Sequence, residues 1–159
     1  MVEVRIEQKP AFVVSGQKTW ISGQDNELFG RFWEAAHRDG LVDRLKALSA
    51  DPAFSVTGAQ VFGVSCVGAD PTDRAFDFFI ASECEPVDDL EAVHIPACTW
   101  AIFSNRGTLP MSLIEAEITA FAEWLPASVY RHAHAPELEV YPGRDDALVE
   151  FWLPVEPKY

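Results

Sequence analysis

The chain has 159 residues, enough for one domain with a sizeable core. Its 48% hydrophobic content, with five Trp and eleven Phe, excludes a disordered chain and supplies aromatic surface for a core, a pocket, or both. The formal charge of −13, from 12 basic and 25 acidic residues, argues against binding a phosphate backbone or an anionic membrane, and its field favours cationic ligands.

Cys66, Cys84 and Cys98 show no CxxC spacing and read as buried or free thiols in a reducing compartment. Residues 1–7 carry no basic-then-apolar signal pattern, and no run approaches the roughly 18 apolar residues of a membrane span. A cytoplasmic protein is therefore expected. Gly16, Gly23 and Gly30 are too widely spaced for a nucleotide fingerprint, so no cofactor is expected.

Along the chain, Pro10-Ala11-Phe12-Val13-Val14 ends a first extended segment. A helix is predicted near 25–38, with Leu28, Phe29, Phe32, Trp33 and Ala36 on one side. Leu41, Leu45 and Leu48 then allow a short second helix within 40–54. Strands are predicted over 56–67 and 74–82, with turn residues Gly68-Ala69-Asp70-Pro71 between them.

The second half repeats this order. Pro96-Ala97-Cys98-Thr99-Trp100-Ala101-Ile102-Phe103 opens it. A helix follows near 110–124, with Ile114, Ile118, Phe121 and Leu125 at helical spacing and Pro110 suited to its first turn. Strands follow at 137–141 and 147–155, joined by a turn over 142–146. The pattern is β-α-β-β, twice: an α+β domain over 1–159, with one repeat over about 1–85 and the other over about 90–159. Two such units predict pseudo-two-fold symmetry, an antiparallel sheet with helices on one side, and a central groove where ligands bind.

Within 136–141, strand alternation puts Glu137, Glu139 and Tyr141 on one face and Leu138 and Val140 on the other. Two glutamates on one strand face repel each other, so a role in holding a cation or handling a proton is a fair expectation. Trp100 and Trp152 lie on predicted strands, and Trp20 follows the first. These three, with Phe12, Phe62 and Phe103, are candidates for lining a groove or filling the core. Trp33 and Trp124 lie on helices and read as packing residues.

Other motifs lead nowhere in particular. His132 and His134 stand near Glu137, but the segment reads as a solvated loop and no metal is expected. Gly63-Val64-Ser65-Cys66-Val67 has Val67 where a nucleophile elbow needs Gly, and Cys66 has no base nearby in sequence.

The segments 95–103, Glu123-Trp124-Leu125-Pro126-Ala127-Ser128, Pro136-Glu137-Leu138-Glu139-Val140-Tyr141 and 149–155 together resemble the GyrI-like small-molecule-binding domain. This is the effector-binding domain of bacterial multidrug-responsive transcription activators. The resemblance implies two β-α-β-β units around a groove that takes hydrophobic, often cationic or aromatic, compounds. It matches Glu139 to the acidic residue of the family's Pro-x-x-Glu-x-Tyr strand, with Tyr141 two positions on and Glu137 at a more variable position. The chain has no helix-turn-helix segment, so it looks like a standalone member and direct DNA reading is not implied.

The expected function is capture of a hydrophobic cationic or aromatic molecule, with Glu139 as buried counter-charge. The resemblance also implies a hydrolase of cyclopropane-bearing or otherwise electrophilic xenobiotics, with Glu139 as acid or base and Tyr141 positioning the reacting group. A third reading is a regulatory module with a gyrase- or transcription-linked protein partner.

Overall fold

The computed structural model describes residues 1–22, 26–142 and 147–159. The expected helix start at Asp25 and positions 143–146 of the expected turn lie outside the described residues. The first half comprises β1 (Glu3–Lys9), β2 (Phe12–Ile21), α1 (Asn26–Arg38), α2 (Leu41–Leu48), β3 (Phe62–Cys66) and β4 (Phe76–Glu83). The second comprises β5 (Glu91–Ile95), β6 (Cys98–Arg106), α3 (Met111–Ile118), a π-helical stretch Thr119–Trp124, α4 (Leu125–Ala127), β7 (Tyr130–His132), β8 (Glu137–Val140) and β9 (Leu148–Pro157).

The sheet order is β1-β6-β9-β8-β3-β4-β2-β5, with β7 also on β9, and every pairing is antiparallel. The order is symmetric about the central β8·β3 pair. On each side of it the strand that precedes the helices (β2 or β6) lies outward, the last strand (β4 or β9) next to it, and the remaining one (β3 or β8) at the centre. This is the duplicated β-α-β-β arrangement.

The outermost strands are exchanged between the halves. β1 runs into β2 but pairs with β6, and β5 runs into β6 but pairs with β2. Lys9 faces Cys98 and, past the breaks at Pro10-Ala11 and Pro96-Ala97, Phe12 faces Ile95. The two ladders are therefore one register, interrupted where proline withholds its N–H. Because each break is only two residues long, the two ends of the sheet must meet, and the sheet curls round on itself.

Curling gives the sheet two buried faces. The enclosed face holds a cluster including Phe12, Phe62, Phe79, Trp100, Leu138 and Trp152. The outer face carries one helix-covered cluster per half: Phe76, Phe78 and Ile80 under α1 and α2, and Phe103, Phe151 and Leu153 under α3 and the π-helical stretch.

α1 buries the stripe read from its periodicity, with Glu27 in its first turn and His37 and Arg38 in its last, matching the helix dipole. Gly40, at φ 84°, supplies the left-handed residue that turns the chain from α1 into α2. The predicted strand 56–67 is shorter than expected, since only Phe62–Cys66 is paired, along its whole length with β4 and as far as Ser65 with β8. The predicted helix near 110–124 widens into π-helical geometry after Ile118, a feature often found beside functional sites. Among the described residues, no helix is long and apolar enough to cross a membrane.

Candidate functional site

Between the helices of the two halves lies a cleft of about 1520 Å³, floored by the central strand pair. Phe29, Trp33 and His37 of α1 line one wall, and Leu113, Ile114 and Glu117 of α3 the other. The floor carries Glu137, Glu139 and Tyr141, with Ser65, Arg74 and Phe76 from the first half. The alternation read along 136–141 explains this. Leu138 and Val140 turn into the enclosed core, so the intervening acids face the helices.

Glu139 is 9% exposed. Its Oε1 accepts a 3.0 Å hydrogen bond from the Trp33 indole N–H, and the Tyr141 hydroxyl is its other hydrogen-bonding neighbour. Both donors are neutral, and among the described residues no arginine, lysine or histidine pairs with this carboxylate. Burial pushes its pKa up to about 7, against the opposing effect of the two hydrogen bonds. Burial and the neighbouring Glu139 also raise the Tyr141 phenol well above its ordinary value. Trp33 meets Tyr141 edge to face, with ring centroids 5.5 Å apart.

Glu137, two residues earlier on the same face, is in a different state. It is 2% exposed, yet fully partnered. Arg74 grips it with two nitrogens at 3.0 and 2.9 Å, and His132 Nε2 donates at 2.9 Å. Burial alone would raise its pKa, but the hydrogen bonds from His132 and Arg74 outweigh it and hold the carboxyl below its ordinary range. Arg74 also lies against the Phe76 and Phe121 rings, at 5.1 and 5.4 Å from their centroids.

Glu117 is the third carboxylate of the cleft. It is partly buried on α3 and has no hydrogen-bond or ion-pair partner among the described residues. Burial, then the negative charges of Glu139 and Glu137, push it up to about 8, although Arg74 pulls the other way.

The six aromatic residues expected at the groove sit elsewhere. Trp100, Trp152, Phe12 and Phe62 point into the enclosed core, with Trp100 against Trp152 at 5.6 Å. Phe103 faces outward but is capped by Trp124 at 5.4 Å. Trp20 stands near the end of β2, 58% exposed and away from the cleft. Strand alternation decides each case, because a curled sheet buries aromatics on both faces. His132 is tied to Glu137, while His134 is exposed and takes no part.

The residues not anticipated are Trp33, Phe29, Arg74 and Glu117. Signals for three of them exist in the sequence. Phe29, Trp33 and His37 follow one another at four-residue spacing along α1, and Glu117 interrupts the apolar stripe of α3 between Ile114 and Phe121.

A curled antiparallel sheet built from two β-α-β-β units, with a cleft between their helices, is the architecture of GyrI-like effector-binding domains. Over residues 5–155 the sequence matches the Cass2 family, described as integron-associated effector binding protein, and the chain belongs to that family. The fold is shared with SAV2435, solved bound to tetraphenylphosphonium. That match has 16% identity and a TM-score of 0.82 over 97% of this chain and 94% of that one. It is shared with the integron cassette protein VCH_CASS2 from the mobile metagenome of Vibrio cholerae, at 18% identity and a TM-score of 0.69 over 96% and 95% of the two chains. The EcmrR C-terminal domain is similar too, at 16% identity and a TM-score of 0.65 over 99% of each. No curated protein matches the sequence significantly.

Proposed function

We propose that the protein binds a hydrophobic cation in the cleft, with Glu139 as counter-charge and Trp33, Phe29 and Tyr141 as aromatic walls. The observation that carries this reading is a buried carboxylate that has only neutral hydrogen-bond donors. A buried charge without a counter-ion is unfavourable by several kcal/mol, and a desolvated ligand cation relieves that penalty. The facing aromatic rings add cation–π attraction of about 1–2 kcal/mol. SAV2435, which shares the fold, holds tetraphenylphosphonium, a cation of this kind.

Titration with tetraphenylphosphonium, followed by tryptophan fluorescence, tests the reading. Saturable binding that weakens at least about tenfold in Glu139→Gln is expected, the equivalent of 1.4 kcal/mol. Binding that ignores this substitution, or no binding, refutes it.

A second reading rests on the Glu139 carboxyl titrating near neutrality beside Tyr141. A group poised there suits proton transfer in the hydrolysis of a strained or electrophilic xenobiotic, with Tyr141 holding the reacting group. Incubation with a cyclopropane-bearing electrophile and mass analysis separates the two. A hydrated product that disappears in Glu139→Gln indicates an enzyme, and an unchanged compound indicates binding alone.

A further inference from the structure

The cleft contains three carboxylates, and they are not equivalent. Glu137 is neutralised within the fold by Arg74 and His132. Glu139 and Glu117 are not, and they face the same aromatic cleft from two elements of the second half, Glu139 from the floor on β8 and Glu117 from the wall on α3. Glu117 feels the negative charge of Glu139. The remaining basic side chains lining the cleft are the exposed Lys46 of α2, the exposed His37 and the Glu137-bound Arg74. Lys46 and His37 are solvated, so their effect on the floor is screened.

We infer that Glu117 is a second ligand-binding carboxylate, and that the cleft is built for dications: molecules with two positive centres joined by a short hydrophobic spacer. This rests on the binding function proposed above and deepens it. A single cation satisfies one carboxylate and leaves the other with no counter-charge. A dication satisfies both, while its spacer lies against Phe29, Trp33 and Ile114. The Arg74–Glu137 pair keeps the third carboxylate out of the count, so the unmatched charge in the cleft is two rather than three. Burial raises the protonation range of both carboxyls, and the charge of Glu139 raises that of Glu117 further.

The test compares α,ω-bis(trimethylammonium)alkanes, with spacers from ethylene to decamethylene, against the alkyltrimethylammonium of the same chain length. Calorimetric titration is done at pH 9, where both carboxyls are ionised. At least one dication is expected to bind about tenfold more tightly than its monocation, and Glu117→Gln is expected to bring that ratio close to one. Glu123→Gln, an exposed change on the neighbouring π-helical stretch, removes the same charge and is expected to keep the ratio. Thermal unfolding shows whether each variant folds, and Glu117→Met serves if the glutamine variant does not.

A wild-type ratio near one for every spacer, or a ratio that survives Glu117→Gln, overturns the inference. If monocation binding depends on Glu139 while the ratio ignores Glu117, this inference alone fails. If monocations do not bind, or bind without regard to Glu139, the proposed function fails with it.

Discussion

Glu139 lies across Gly63, its direct partner on the neighbouring central strand. A Cβ placed at position 63 would stand 2.4 Å from Glu139 Cγ and 2.6 Å from Oε1. The absent side chain on β3 is what lets the carboxylate rest over the floor and reach Trp33.

Gly63→Ala is therefore expected to push the Glu139 side chain off its seat. Overpacking of this kind costs about 1–3 kcal/mol, readable as a lower urea midpoint with an unchanged slope. Tetraphenylphosphonium affinity should fall as well, by about tenfold or more, since the carboxylate no longer meets the indole. An alanine variant that binds as tightly as wild type would show that the Gly63 seat is irrelevant to the site.

Cation affinity should depend on pH with a definite sign. A protonated Glu139 is no counter-charge, so a cation must displace its proton. With that carboxyl raised to about 7 and Glu117 to about 8, affinity is greatest above pH 8 and falls as the pH drops below those values. Each proton released steepens the fall toward about tenfold per pH unit. Binding isotherms at pH 5.5, 7 and 8.5 check this, and Glu139→Gln should flatten the profile. Equal affinity across that range would remove Glu139 from the binding event.

Stability should run the other way. A carboxyl raised in the folded state contributes stability that is fully present below its unfolded value near 4.5 and lost as pH rises through the folded one. For Glu139 the loss between pH 4.5 and 8 is about 3 kcal/mol. Glu137 works in the opposite sense: its depressed pKa stabilises the fold above 4.5, and that contribution disappears as the pH falls below it. Urea unfolding from about pH 2.5 to 8.5 should show both limbs. Glu139→Gln should be more stable than wild type at pH 8, and the reverse ordering would contradict the account of that carboxyl.

Arg74→Met tests the neutralised carboxylate. Glu137 is 2% exposed, and removing the arginine leaves it with His132 alone. Breaking a buried pair from one side costs about 3–5 kcal/mol, and the partial exposure of Arg74 argues for the lower end. The double change Arg74→Met with Glu137→Gln should recover part of the loss in urea unfolding. A double variant less stable than Arg74→Met would rule out an uncompensated Glu137 charge as the cause.

The residues differ in how far their roles can be read before folding. The β-α-β-β order is legible because α1 has a clear apolar stripe and because Pro10-Ala11 and Pro96-Ala97 mark matching places in the two halves. The exchange of β1 and β5 is not legible. A strand shows its periodicity but not its partner, and Glu91–Ile95 pairs with a strand from the other half. Glu139 is legible because its strand alternates acid with aliphatic, so one face is marked. Trp100 and Trp152 lie on strands apolar on both faces, and nothing local tells the enclosed side from the helical one. The grip of Arg74 on Glu137 joins residues 63 positions apart, which no local pattern reveals.

That ambiguity among the tryptophans gives a direct optical test. Trp33 donates to the carboxylate of the cleft, whereas Trp20 is exposed elsewhere. A cation bound beside Glu139 should change Trp33 emission, and Trp33→Phe should abolish most of the ligand-induced signal. Because phenylalanine has no N–H, the same change also leaves Glu139 with one donor fewer, and the affinity of its ionised form should shift by an amount set by about 1 kcal/mol of hydrogen bonding. Trp20→Phe should lower the starting fluorescence yet keep the full ligand response. If the signal follows Trp20 instead, the cation binds outside the cleft and the counter-charge role of Glu139 falls.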